Sequence, residues 1–181
     1  GLRGIYLDNY MRWNAHAQTK EMIEKYDFGT YPLGYHQSNR SFLNYSGIDN
    51  ASHGTHDYLK YLKYGYGRAT DHASREVRHG RMSREEAIEL VEQFDHNRPA
   101  DLDFFLEFLD MTEDEFVEAI EPMRDEDIWD RSSDGEWTLR DRAGNHFDDP
   151  GVDDARPPIE SDEHWTDVGN VISDYKDRGF I

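Results

Sequence analysis

The sequence predicts a mainly α-helical chain: a small helical bundle with a short N-terminal strand and a small β-hairpin. Three observations carry this. Ser83 with Glu86, and Thr112 with Glu115, form capping boxes, and each is followed by apolar residues at three- and four-residue spacing. Asp134-Gly135 lies between Ile128-Trp129 and Trp137-Thr138-Leu139, a turn signal between two short β-prone runs. Leu2 to Leu7 is a short apolar run near Gly1 and Gly4, which reads as a strand.

In chain order, Asp8, Asn9, Trp13 and Asn14 follow that strand, at the end where open α/β sheets place ligand contacts. Trp13 is a candidate to stack on a substrate ring, against the competing role of a core side chain. Asn14 suits a helix cap for Ala15 to Lys25, with Met22, Ile23 and Tyr26 as the apolar residues. Residues 27–50 lack a clear period and read as a long loop. Phe28, Tyr31, Tyr35, Phe42 and Tyr45 argue that it packs, and their faces also suit a sugar. His53, His56 and Asp57 have the spacing of a weak zinc site, and His72 extends that reading. With no supporting signature, no metal site is predicted, and helix capping by Thr55 is the expected role there.

From Asp57 to Tyr64 the chain reads as a short amphipathic helix with Tyr58, Leu59 and Leu62 on its apolar side. Lys60 and Lys63, three apart, share another side. Gly65 and Gly67 break this helix. A second helix is expected from Thr70 or Asp71 to His79, closed by Gly80, with Asp71 and Arg75 placed to pair. Lys63, Arg68 and the start of this helix thus form a basic island around a glycine hinge. An ammonium, a guanidinium and unpaired backbone N–H groups suit a cluster of anionic oxygens. The rival reading is that these are the ordinary charged faces of surface helices.

Further on, Ala87, Leu90, Val91 and Phe94 form one apolar stripe, then Leu102, Phe105, Leu106 and Leu109, then Phe116, Ala119, Ile120 and Met123. Three such helices on short connections read as an antiparallel bundle that serves mainly as scaffold. From Asp141 to Glu163 the chain is rich in Asp, Pro and Gly and is expected to be irregular; Val168 to Tyr175 is a last short helix. These readings divide the chain into residues 1–52, 53–130 and 131–181.

Composition sets limits. Hydrophobic residues make up 36% and aromatic residues 13%, so a core must lean on large rings. The formal net charge of −19 combines 23 Asp and 16 Glu with 15 Arg and only 5 Lys. Acids spread along the chain point to adaptation to high salt, a halophilic trait, rather than to one acidic surface for a basic partner. The same charge disfavours nucleic acid. The absence of cysteine excludes disulfides and thiolate metal sites within this chain. No apolar run approaches a transmembrane segment and no signal peptide is visible, so a cytoplasmic location is expected.

The run from Lys60 to Phe116 resembles the C-terminal half of the N-acetyl sugar amidotransferases of surface-polysaccharide biosynthesis. Lys63-Tyr-Gly65-Tyr-Gly67-Arg68-Ala-Thr70-Asp71, Arg84-Glu85-Glu86-Ala87 and Met111-Thr112-Glu113-Asp114-Glu115-Phe116 carry the similarity. Ile5-Tyr6-Leu7 through Trp13-Asn14 and the tail Arg178-Gly179-Phe180 extend it. In that family an ATP-pyrophosphatase domain with an S-G-G-x-D-S-type phosphate loop (PP-loop) comes first. Neither the loop nor a cysteine occurs in this chain. The resemblance therefore implies the C-terminal part of an α/β nucleotide-binding enzyme whose phosphate-loop half is absent, inactive alone.

What the resemblance implies chemically is that ATP activates the amide oxygen of an N-acetyl group on a nucleotide-linked sugar, with release of pyrophosphate. Ammonia from a glutaminase, through an ammonia-channelling subunit, then replaces that oxygen to leave an acetamidino group in lipopolysaccharide O-antigen-type biosynthesis. ATP and Mg²⁺ would be held mainly by the missing loop. Lys63 and Arg68 are the candidate catalytic cations beside the departing pyrophosphate. Gly65, Gly67, Thr70, Asp71, Arg75 and Trp13 are the candidate substrate contacts, with Asp71 and Arg75 alternatively holding Arg68. The rival function is a non-catalytic helical module that docks the glutaminase, with a homo-oligomer also open.

Overall fold

The computed structural model describes residues 2, 4, 14–31 and 40–149. Six α-helices run in order through that span: α1 Ala15–Tyr26, α2 His53–Tyr64, α3 Arg68–Arg78, α4 Arg84–Phe94, α5 Leu102–Leu109 and α6 Glu113–Ile120. Strands β1 Trp129–Arg131 and β2 Trp137–Leu139 form an antiparallel hairpin, with Trp129 opposite Leu139 and Arg131 opposite Trp137. The described chain is thus mainly helical with one small hairpin. The N-terminal strand, Trp13, and the last helix and tail lie outside the described residues.

Local chemistry explains most helix ends. The Asn14 side chain accepts from the Ala17 N–H at 3.1 Å and starts α1. Both capping boxes form, Ser83/Glu86 on α4 and Thr112/Glu115 on α6. Gly65, at φ 76°, ends α2 in the left-handed region. Gly80 and Arg81 donate back to Val77 and Glu76, the two bonds of a Schellman ending for α3.

The apolar residues do not make one bundle core. Phe42, Leu43, Ala69, Ala73, Met82, Ala87, Leu90 and Phe94 close one cluster, in which α3 packs on α4 beneath the 40–44 segment. Leu62, Leu102, Leu106, Phe116 and Ile120 close a second, made by α2, α5 and α6. The long loop is therefore structural at residues 40–44, which are all buried, while residues 27–29 and 48–50 are exposed. Three stripe residues depart from the sequence reading: Leu109, Ala119 and Met123 are exposed. On α1, Met22 and Tyr26 are also exposed, and His16 is the buried residue.

Candidate functional site

Two carboxylates on the α4–α5 connection each hold one helix start, Asp95 that of α3 just after its turn from α2 and Asp101 that of α2. Asp95 accepts from the N–H groups of Gly67 at 2.8 Å, Ala69 at 2.9 Å and Thr70 at 3.3 Å, and from the Thr70 hydroxyl at 2.5 Å. Asp101 does the same for α2, accepting from the Gly54 N–H and the Thr55 hydroxyl, each at 2.7 Å. Helix starts favour negative charge, and both carboxylates are buried. The N–H groups that the sequence reading left open for an anion are thus already taken by Asp95. Thr55 also lies inside α2, one turn later than a cap.

Beside this turn Arg40 is fully buried, with its guanidinium 4.8 Å from the Tyr58 ring centre and 5.0 Å from that of Tyr61. Among the described residues, none of its three side-chain nitrogens has a hydrogen-bond partner. Burial pushes its pKa down to about 10, against the opposing charge of Asp95. Two aromatic faces and the nearby charges of Asp95 and Asp57 thus surround this buried cation.

The basic island does not converge on one point. Arg68 is paired with buried Asp57, and its Nη1 lies 3.8 Å from Asp71. Asp71 is bonded to Lys60 at 2.6 Å, while Arg75 pairs with its neighbour Glu76, so the expected Asp71–Arg75 pair gives way to these. Lys63 is exposed, its ammonium 5.0 Å from the Tyr64 ring centre. Burial alone would raise the Asp57 pKa, but the Arg68 hydrogen bonds and charge outweigh it and hold the carboxyl below its usual range. His53 and His56 both approach Asp57 at 3.4 Å. His72 instead meets the Ser41 hydroxyl at 2.6 Å, and burial pushes its pKa well below the ordinary range.

On the other side of the hinge lies a cleft of about 700 Å³ between the α2–α3 turn, the end of α4 and the hairpin. Tyr64 and Tyr66 form one wall, with ring centres 6.2 Å apart and both rings substantially exposed. Trp137 and Leu139 of β2 also line it, and Thr70, Asp95 and His96 supply polar groups. Trp129, edge-on to Tyr61 at 5.4 Å, is buried behind. Gly65 is where turn and hairpin touch: a Cβ there would meet Ile128 Cγ2 at 2.8 Å and Leu139 Cδ2 at 2.9 Å. Glu92 on α4 fastens the far edge, accepting from the Gly144 N–H at 3.0 Å and pairing with Arg142.

Of the sequence-predicted site residues, Gly65 and Thr70 line this cleft. Lys63 stands next to its rim residue Tyr64. Gly67, Arg68, Asp71 and Arg75 are not among the lining residues. The sequence reading missed Asp95, Arg40 and Trp137 as parts of the site. Only Trp137 carried a local signal, as a large aromatic beside a turn.

The class defined is a small helical domain with an aromatic-walled cleft closed by a hairpin. Residues 23–143 match the family described as "LPS biosynthesis protein WbpG-like, C-terminal domain", a span from within α1 to just past β2. The chain belongs to that family. No curated protein matches it. Among the described residues no group of three His, Cys, Asp or Glu side chains is placed to hold a metal ion, and no helix is long and apolar enough to cross a membrane.

Proposed function

We propose that this chain is the sugar-holding part of an amidotransferase that converts the N-acetyl group of a nucleotide-linked sugar to an acetamidino group in lipopolysaccharide biosynthesis. The observation that carries the reading is the cleft walled by Tyr64, Tyr66 and Trp137. Flat aromatic faces suit the C–H faces of a pyranose, and a few polar groups at the base fix its orientation. Family membership in lipopolysaccharide biosynthesis supports a sugar as the substrate class.

The described residues do not fit ATP or Mg²⁺. The N–H groups at the start of α3 are closed by Asp95, and the sequence has no phosphate loop. ATP handling is therefore assigned to a phosphate-loop domain beyond these residues, and ammonia to a glutaminase partner in the same cytoplasmic assembly. Within this chain, Lys63 offers its exposed ammonium at the rim to the diphosphate of the nucleotide-linked sugar. Gly65 admits the hairpin, and Thr70 faces the cleft. Arg68, Asp71 and Arg75 act through the scaffold around the hinge.

The test is calorimetric titration of the chain with UDP-N-acetylglucosamine and with UDP-glucose. Binding of the N-acetyl compound, weakened about tenfold by Tyr66→Ala and by Lys63→Ala, is the expected result. Equal binding by the native chain and the Tyr66→Ala variant would remove the cleft from the reaction.

A further inference from the structure

We propose that the outer face of α5 and α6 is a docking surface for a basic amphipathic helix of a partner protein. The inference stands apart from the cleft, since none of the side chains below lines it. Helix α5 buries Leu102 and Leu106 against α2 and α6, yet Phe104 is 55% exposed and Phe108 78% exposed. Spaced four apart, these two rings lie along one outward stripe of α5. Leu109, Val117 and Met123, each about half exposed, add apolar surface on the same helices and the turn after α6. Single exposed apolar residues are ordinary, but a phenylalanine pair displayed on one helix face is not.

Charge says what covers it. Residues 99–123 contain nine carboxylates and no Lys, Arg or His, so nearly half of the net −19 falls in this short run. One of the nine, Asp101, is turned inward as the cap of α2. Asp103 and Glu107 sit one residue before Phe104 and Phe108 and flank the stripe. Of the two bases that bound this run, Arg98 is already bonded to Asp103 at 2.6 Å and to Glu113 at 2.9 Å, and Arg124 lies over the Trp129 ring at 4.4 Å. An apolar stripe on a face that stays net negative after Arg98 pairs with Asp103 and Glu113, and Arg131 with Glu121, matches a helix with an apolar face edged by Lys and Arg. A second copy of this chain fits poorly, because it would set the same carboxylates against themselves. Residues 150–181 fit poorly too, with eight acids against two Arg, one Lys and one His.

The experiment is fluorescence anisotropy with the full chain and two labelled model helices of about 18 residues, one of Leu and Lys, the other of Leu and Glu. The same titrations are run on a Phe104→Ser/Phe108→Ser variant, which keeps every charge and alters only exposed side chains; circular dichroism verifies its helix content. The proposal expects the Leu/Lys helix to bind, the Leu/Glu helix not to bind, and the variant to lose about tenfold in affinity. Undiminished binding by the variant would show mere attraction to an acidic protein and overturn the proposal. So would absence of binding to the native chain. Sedimentation of the native chain as a dimer that the variant dissolves would assign the face to a second copy instead.

Discussion

Arg68 meets Asp57 through two parallel hydrogen bonds, Nε to Oδ2 at 2.7 Å and Nη2 to Oδ1 at 2.8 Å. Asp57 belongs to α2 and is fully buried; Arg68 opens α3 and is 25% exposed. The pair therefore fixes the angle between the helices on either side of the glycine hinge. A guanidinium engaged along its Nε–Nη2 edge by one carboxylate is a strut first.

Arg68→Ala leaves Asp57 buried beside two histidines and should cost about 3–5 kcal/mol in urea unfolding. Arg68→Lys keeps the charge but loses the fork, and should cost less. A loss below about 1 kcal/mol for Arg68→Ala would return Arg68 to the list of free cations.

Gly67→Ala tests the cap. The backbone at Gly67 is extended, at φ −118°, so conformation is not the obstacle. The added Cβ would lie 2.7 Å from Asp95 Oδ1 and 3.3 Å from an Arg40 nitrogen. Asp95 cannot yield without releasing the start of α3. A destabilisation of about 1–3 kcal/mol is expected, measured by thermal or urea unfolding. Gly65→Ala should also open the cleft, because both its left-handed φ and the hairpin contact are lost, and ligand binding should fall with stability.

The pH dependence has a definite sign. Burial, with nearby Arg75 and Arg68 charges, keeps His72 neutral well below the ordinary imidazole range. The unfolded chain protonates this group below about pH 6.5 while the folded chain does not, so stability falls as pH falls. The slope from His72 should approach about 1.4 kcal/mol per pH unit, and His72→Gln should flatten it. At lower pH Asp57 adds to the loss, because its depressed carboxyl stabilises the fold above the ordinary carboxylate pKa and ceases to as it protonates. His146 behaves oppositely: hydrogen bonds to Asp149 and Asp141 raise its pKa. NMR titration should show His146 charging above the ordinary imidazole pKa and His72 remaining neutral down to acid unfolding.

Much of the fold was legible because its signals are local. Ser83/Glu86, Thr112/Glu115, Asn14, Gly65, Gly80 and the Asp134-Gly135 turn each act within a few residues, and each does what its type dictates. The site was legible only in part. Asp95 is, by sequence, an acid at the end of α4, and nothing nearby marks it as the cap of a helix that begins at Arg68. Arg40 looks like a surface arginine in a polar loop until Tyr58 and Tyr61 enclose it. The apolar stripes showed which residues were hydrophobic, but not that they divide between two cores.

The most direct measurement is saturation-transfer difference NMR on UDP-N-acetylglucosamine with the native chain and the Tyr66→Ala and Trp137→Ala variants. The account predicts transfer to the acetyl methyl and the pyranose ring protons, and its loss in both variants while Arg68→Lys retains it. Transfer confined to the uridine, or unchanged in Tyr66→Ala, would contradict the assignment of the cleft to the sugar.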